Sequence, residues 1–372
     1  MRGSAFVVHV ENCDEFIMMC VAARGEAPSA VSYRSSDYAL GADDLCRRVL
    51  GFEVFELQAD DRRTILFVFG MARSGTSALT RVLSLCGATL PQGMLGADNT
   101  NQRGYWEPRE AVYLNRTILH RHGSAWWKSA IPEVATFNAD ECRDARAAIR
   151  KYLDKLPSAP LVVIKDPHLV FLADLWFDAS REAGFNVATV LAIRHPNEVV
   201  YSLNAVAKVT PEHAGALWLK ATLMAERSTR GVPRVFVDYA NLLDDWRREI
   251  KRISVELGFE LDCNDERVVD EFLTPDLRHH HQRGPVADHF GSNWISSVYA
   301  AAYSAAQDEP VDIHALDRVF EAYRAGERDF RMVFEADRRC SGRAITRVLT
   351  PTVLRWIMNI RAISHRRKGT WA

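Results

Sequence analysis

Four short runs of apolar, mostly β-branched residues recur along the middle of this chain, and a segment with helical periodicity follows each one. Nearly continuous apolar runs of this length predict strands that are buried on both faces of a parallel sheet. The segments between them space apolar residues three and four positions apart, which is typical of helices. We therefore predict an open α/β sheet with flanking helices, whose ligands bind at the carboxyl ends of its strands. The predicted strands are Thr64–Phe69, Leu161–Ile164, Val187–Ile193 and Val235–Val237, and the predicted helices are Ala78–Leu85, Asp140–Leu156, Phe171–Ala183, Glu198–Ala207, Glu212–Arg230 and Asn241–Leu257.

The loop after the first predicted strand has the pattern of a phosphate-binding turn. Gly70–Ser77 reads GMARSGTS and is followed by a helical pattern. Such a loop points several backbone N–H groups at one place, and the helix N-terminus adds partial positive charge. The spacing nearly matches the loop of nucleotide triphosphatases, but Thr76 stands where their lysine would be, and Arg73 comes three residues earlier. The loop suits one phosphate carrying another group better than it suits a γ-phosphate; the alternative is a turn in which the glycines serve only the chain reversal.

This loop resembles the 5′-phosphosulfate loop of the sulfotransferases that use 3′-phosphoadenosine-5′-phosphosulfate (PAPS). The resemblance is greatest to bacterial members that act on carbohydrates or natural products. It implies a P-loop-like sulfotransferase fold with a central parallel sheet. It also implies that the 5′-phosphosulfate is held by Arg73, Ser74, Gly75, Thr76 and Ser77.

A second signature of the same family follows in the expected order. Arg194 ends the third predicted strand, and Ser202 lies eight residues later in the next helix. The resemblance implies that both bind the 3′-phosphate, and an arginine fork with a hydroxyl suits phosphate oxygens. Tyr239, at the end of the fourth strand, resembles a family tyrosine near the adenine, although a packing role fits it equally well.

Two segments carry candidates for the base that sulfuryl transfer requires. Glu107 is the first candidate, because the segment Gly-Tyr-Trp-Glu resembles the region where related carbohydrate sulfotransferases place a glutamate. Glu110 is the second, and the alternative for both is a helix-start carboxylate. Lys165 matches a family lysine that contacts the sulfuryl oxygens. Asp166 follows it as a third candidate base, whereas His168 lies one position later than the histidine base of cytosolic members.

The composition excludes several classes of protein. A net charge of −1 gives no overall attraction to nucleic acid. The 7 cysteines are odd in number and lack C-x-x-C spacing, which favours a reducing compartment over a disulfide framework or zinc site. Charged residues interrupt residues 1–20, and no apolar run is long enough to span a bilayer, so we expect a cytoplasmic protein. We expect no metal, since the consecutive histidines 279–281 cannot all face one ion.

The predicted organisation has three parts, namely a small α+β extension over residues 1–60, a sulfotransferase domain over 61–310 and a helical extension over 311–372. The last part ends in a basic amphipathic helix, which either packs on its own domain or contacts a membrane or partner. The variable loops 91–135 and 278–310 would bind a small-molecule or glycan acceptor, and Arg278 and Arg283 would close over the PAPS. The alternatives are a small-molecule kinase and a non-catalytic PAPS-binding relative.

Overall fold

The computed structural model describes residues 62–121, 137–274, 284–289, 292–326 and 350–366. The extension predicted over residues 1–60 lies outside these ranges. So do the three consecutive histidines and the two arginines assigned to a closing loop, Arg278 and Arg283.

The described residues form a four-stranded sheet in the order β2-β1-β3-β4, in which all neighbouring strands are parallel. This confirms the predicted α/β class with a central parallel sheet flanked by helices. The strands are β1 (Thr64–Phe69), β2 (Leu161–Lys165), β3 (Asn186–Ile193) and β4 (Arg234–Asp238). The helices are α1 (Thr76–Leu85), α2 (Arg109–Arg121), α3 (Ala139–Leu153), α4 (Leu169–Glu182), α5 (Pro196–Ala207), α6 (Pro211–Ser228), α7 (Tyr239–Asp244), α8 (Trp246–Leu257), α9 (Glu266–Phe272), α10 (Trp294–Ala306), α11 (Ile313–Ala325) and α12 (Pro351–Arg366).

Both faces of the sheet are covered by helices, which explains why the strands read as continuous apolar runs. Successive residues of β1 point to opposite faces of the sheet. Phe67 packs with α4, whereas Leu66 packs with α1 and α8. Further helices form a third cluster, in which Trp218 of α6 packs with residues of α5, α10 and α11.

One predicted helix and one predicted loop differ from the observed structure. The segment predicted as Asn241–Leu257 is two helices, because Asp245 adopts a non-helical conformation and its side chain accepts from the Arg248 N–H to cap α8. Part of the predicted variable loop 278–310 is helical, since α10 begins at Trp294. No helix within the described ranges is both long enough and apolar enough to cross a membrane.

The strand order places a ligand crevice between β1 and β3. The chain leaves β1 for β2 on one side, and it leaves β3 for β4 on the other side. The loops after β1 and β3 therefore diverge, and a crevice opens between them at the carboxyl edge of the sheet. These two loops carry Arg73 and Arg194.

Candidate active site

The loop between β1 and α1 wraps tightly around the end of β1. Arg73 and Gly75 both have a positive φ, 75° and 86° respectively, and Gly75 is the residue before α1. A Cβ on Gly70 would lie 2.5 Å from the Ala192 carbonyl oxygen of β3, so glycine is needed for this close approach. The Ser74 hydroxyl is buried and has no hydrogen-bond partner within the described part of the chain. An unpartnered buried hydroxyl beside a helix N-terminus fits an anion that would accept its hydrogen bond.

The side chain of Arg73 joins this loop to two other segments. Its Nε donates to the Ser202 Oγ of α5 at 2.9 Å, and its Nη1 donates to the Thr100 carbonyl at 3.2 Å. Arg194 Nη1 in turn donates to the Arg73 carbonyl at 3.1 Å. Burial lowers the pKa of Arg73, with a further lowering from the charge of Arg194. Two guanidinium groups held this close favour binding of an anion.

Arg194 is itself held on two sides. Its Nε donates to Glu198 Oε2 at 2.7 Å, one helical turn along, and its guanidinium carbon lies 4.8 Å from the centre of the Tyr239 ring. A Cβ on Gly75 would lie 2.2 Å from that ring, so the tyrosine packs directly on the phosphate-binding loop. These contacts give Tyr239 a packing role at the site.

A cavity of about 720 Å³ opens over this group. Its walls come from the β1–α1 loop, from residues 99–104, from α5 and from the end of α9. It contains Arg73, Arg194, Ser202 and Tyr239, so the two predicted phosphate-binding signatures line one cavity.

Lys165, the last residue of β2, connects the phosphate loop to the first candidate base. Its ammonium donates to Glu107 Oε1 at 2.5 Å, to Ser77 Oγ at 3.2 Å and to the Tyr105 carbonyl at 3.3 Å. Both Lys165 and Glu107 are buried. Burial raises the pKa of Glu107 above that of an ordinary glutamate, although the charge of Lys165 acts in the opposite direction. A buried carboxylate with a raised pKa beside a cation has the properties of a general base.

Asp166 lies next to this pair in a buried polar network. Its Oδ1 lies 2.6 Å from His168 Nδ1, and its Oδ2 accepts from Asn115 Nδ2 at 2.7 Å. Asn115 Oδ1 accepts from Trp176 Nε1 at 2.7 Å. Burial alone would raise the pKa of Asp166, but the charge and hydrogen bonds of His168 and Asn115 outweigh it and lower the pKa. A carboxylate satisfied in this way is a weaker base than Glu107.

Glu110 lies apart from these groups. Its carboxylate pairs with Lys155, beyond the end of α3, and its side chain is 54% exposed. It lines a different cavity, between α2, α3 and α12, from which Glu107, Lys165 and Arg73 are absent.

The segment 98–105 lies within the loop 91–135 that was predicted to bind the acceptor, but its contact with Arg73 was not predicted from the sequence. Asp98 Oδ1 accepts from the backbone N–H and hydroxyl of Thr100 and from the Tyr105 hydroxyl. Burial raises the pKa of Tyr105 to about 12, so its hydroxyl stays protonated and donates. Arg103 fastens the same segment to α9 through the Phe272 carbonyl at 2.8 Å. The run Asp-Asn-Thr-Asn at 98–101 is a sequence signal that could have predicted a turn here, because Asp and Asn side chains hydrogen-bond to the backbone two residues on.

No group of histidine, cysteine, aspartate and glutamate side chains within the described ranges could hold a metal ion.

Comparison with known proteins gives likenesses of fold only. No protein family and no curated protein sequence matches this chain. Similar solved structures include the sulfotransferase domain of the Synechococcus PCC 7002 olefin synthase, with 18% identity over 67% of this chain and 97% of that chain and a TM-score of 0.40. Sulfotransferase STF1 from Mycobacterium tuberculosis H37Rv has 16% identity over 64% of this chain and 77% of its own, with a TM-score of 0.34. A sulfotransferase from Alicyclobacillus acidocaldarius has 16% identity over 68% and 99%, with a TM-score of 0.35.

Proposed function

We propose that this protein is a sulfotransferase that moves a sulfuryl group from PAPS to a hydroxyl or amine of a carbohydrate or small-molecule natural product. The observation that carries the proposal is that the two sets of residues predicted to bind anions line one cavity. Arg73 of the β1–α1 loop donates to Ser202, and Arg194 donates to the Arg73 carbonyl. PAPS carries two separate anionic groups. In this proposal the β1–α1 loop with Arg73 binds the 5′-phosphosulfate, and Arg194 with Ser202 binds the 3′-phosphate.

The loop supports a phosphosulfate rather than a triphosphate. The unpartnered Ser74 hydroxyl and the N-terminus of α1 offer donors for one phosphate. Thr76 occupies the position of the lysine that would contact β- and γ-phosphates, which weakens the small-molecule kinase alternative. Arg73 and Lys165 supply positive charge where negative charge develops as the sulfur–oxygen bond to the phosphate breaks.

Glu107 is the base in this proposal. This assignment is supported by the raised pKa of Glu107 and by its contact with Lys165, which also donates to Ser77 of the predicted phosphosulfate loop. Glu107 takes the proton of the acceptor hydroxyl while the oxygen attacks sulfur. Lys165 and Arg73 balance the charge that passes to the departing 3′-phosphoadenosine-5′-phosphate. Residues 99–104 line one wall of the cavity, and the side chains of Asn99, Asn101, Gln102 and Arg103 carry donors that an acceptor or co-substrate can use.

Two measurements test the proposal in order. First, 3′-phosphoadenosine-5′-phosphate is expected to raise the melting temperature without magnesium, and ATP to raise it far less. Equal stabilisation by ATP, or a strict magnesium requirement, would favour the kinase instead. An acceptor screen with sulfur-labelled PAPS follows, because binding without transfer to any acceptor class would indicate a non-catalytic PAPS-binding relative.

A further inference from the structure

The C-terminal helix α12 has apolar residues on two opposite sides. One side packs against α2 and buries Met358 and Ala362. The helix is therefore packed on its own domain, which is one of the two alternatives left open by the sequence. That packing accounts for only part of the apolar surface of the helix.

The opposite side of α12 exposes a stripe of large apolar side chains. Trp356 is 70% exposed and Ile363 is 61% exposed. Ile360, between them, and Val353, before them, are also exposed. Their spacing of three, four and three residues aligns them along one side of a helix. Single exposed apolar residues are ordinary, but a contiguous stripe of them marks an interaction surface.

The sequence that contains this helix is basic. Residues 341–372 contain 7 lysines and arginines and no acidic residue. Arg355 and Arg361 are on α12 itself. The cavity between α2, α3 and α12, which lies on the packed side of the helix where Met358 lines it, holds further cations. The charged residues that line that cavity are Arg109, Lys151, Lys155 and Arg355, against the single carboxylate of Glu110.

We propose that the exposed side of α12 docks on an anionic membrane surface. A helix with an apolar stripe and basic flanks lies in the plane of such a surface, with the apolar side chains below the headgroups. Each arginine or lysine near anionic headgroups adds to the attraction. A second copy of this chain fits less well, because it would bring two helices of the same charge together.

The docked helix would lie beside the proposed active site. Arg361 Nη2 pairs with Asp98 Oδ2 at 3.1 Å, and the other oxygen of that carboxylate holds Thr100 and Tyr105. The Thr100 carbonyl accepts from Arg73. Helix α12 therefore contacts the segment 98–105, part of which lines the cavity. A membrane bound to α12 would lie on that side of the molecule.

Vesicle sedimentation of the full chain tests the proposal. We expect partitioning onto phosphatidylcholine vesicles that contain phosphatidylglycerol, weakening as salt is raised, and little onto phosphatidylcholine alone. The double variant Trp356→Ser/Ile363→Ser should reduce the partition coefficient about tenfold or more. Val255→Ser is the matched control, because Val255 is also 70% exposed but lies on α8, and it should partition like the parent.

Three outcomes would overturn the proposal. They are equal partitioning onto both kinds of vesicle, partitioning that the double variant leaves unchanged, and no partitioning by the folded parent protein. Light scattering that shows a dimer of the parent and a monomer of the double variant, without vesicle binding, would assign the stripe to a second copy of the chain. Both variants alter exposed side chains, and unchanged melting temperatures would confirm that they are folded.

Discussion

The Nε of Arg73 donates to the Oγ of Ser202 at 2.9 Å, across 129 residues of sequence. The first residue belongs to the loop after β1 and the second to the helix after β3. The hydrogen bond therefore crosses the crevice that the strand order opens. A ligand that binds both the phosphate loop and α5 would contact both of these side chains, so each is a place where binding can be tested separately.

The predicted contact with the 3′-phosphate can be removed either by changing the ligand or by changing Arg194. Arg194→Ala should weaken the binding of 3′-phosphoadenosine-5′-phosphate by about 30-fold or more, because truncating one partner of a buried charged hydrogen bond costs about 2–5 kcal/mol. Adenosine 5′-monophosphate, which lacks the 3′-phosphate, should bind the variant almost as it binds the parent. Calorimetry with both nucleotides checks this. Arg227→Ala, which removes an arginine that pairs with Asp317 on the surface, should change neither affinity, and equal weakening of both nucleotides by Arg194→Ala would make Arg194 structural.

Gly75 offers a test of the close packing between the loop and Tyr239. Gly75→Ala should displace the Tyr239 ring, because the new Cβ would lie 2.2 Å from it. The binding of 3′-phosphoadenosine-5′-phosphate should weaken at least tenfold. Gly231 is the matched control, because it has the same φ of +86° and a Cβ placed there would meet nothing within 4 Å. Both alanines should cost about 1–2 kcal/mol of stability from the backbone strain, but only Gly75→Ala should lose affinity. Loss of affinity in both variants would assign the effect to general destabilisation.

The strands and the α/β class were predictable from local patterns, since a strand buried on both faces has to be apolar throughout. The loop at Gly70–Ser77 was also predictable from a local pattern, because its glycines stand between a predicted strand and a predicted helix. The break at Asp245 was missed because an aspartate that caps a helix looks, in sequence, like one polar residue in an amphipathic pattern.

The partners of the candidate bases could not be predicted. Glu107 and Glu110 lie three residues apart, yet one is buried on Lys165 and the other is exposed beside Lys155. That difference depends on strand register and helix packing, which no local pattern encodes. Asn115 was missed for the same reason, since its importance comes from two buried partners on other elements.

Asn115 is expected to matter for stability and not for chemistry. Asn115→Ala leaves Asp166 Oδ2 and Trp176 Nε1 without their partner in the folded state. Each of the two orphaned buried groups costs about 1–3 kcal/mol, so the free energy of unfolding should fall by about 2–6 kcal/mol. Urea denaturation measures this. Asn204→Ala is the control, because it removes an exposed amide that donates to the Val209 carbonyl, and a loss of similar size there would contradict the assignment.

The pH dependence of transfer distinguishes the two buried carboxylates. A base acts when it is deprotonated, so the rate falls as pH falls through its pKa. Burial raises the pKa of Glu107, whereas its hydrogen-bonded surroundings lower the pKa of Asp166. If Glu107 is the base, the acid limb of kcat/KM should lie above the about 4.3 of an ordinary glutamate. An acid limb below the about 3.9 of an ordinary aspartate would favour Asp166 instead.

Replacing Glu107 by glutamine should abolish transfer while leaving nucleotide affinity nearly unchanged. Glutamine keeps the size of the side chain, and its amide oxygen still accepts the hydrogen bond from Lys165, but it cannot take a proton. Loss of a general base costs about 10²–10⁴-fold in rate, which a transfer assay measures once an acceptor is known. Glu110→Gln is the matched control, because it makes the same change three residues away at an exposed carboxylate, and it should keep full activity. Asp166→Asn is the third arm. Turnover by Glu107→Gln within a few-fold of the parent would remove Glu107 from the mechanism, and the arm that lost activity would then identify the base.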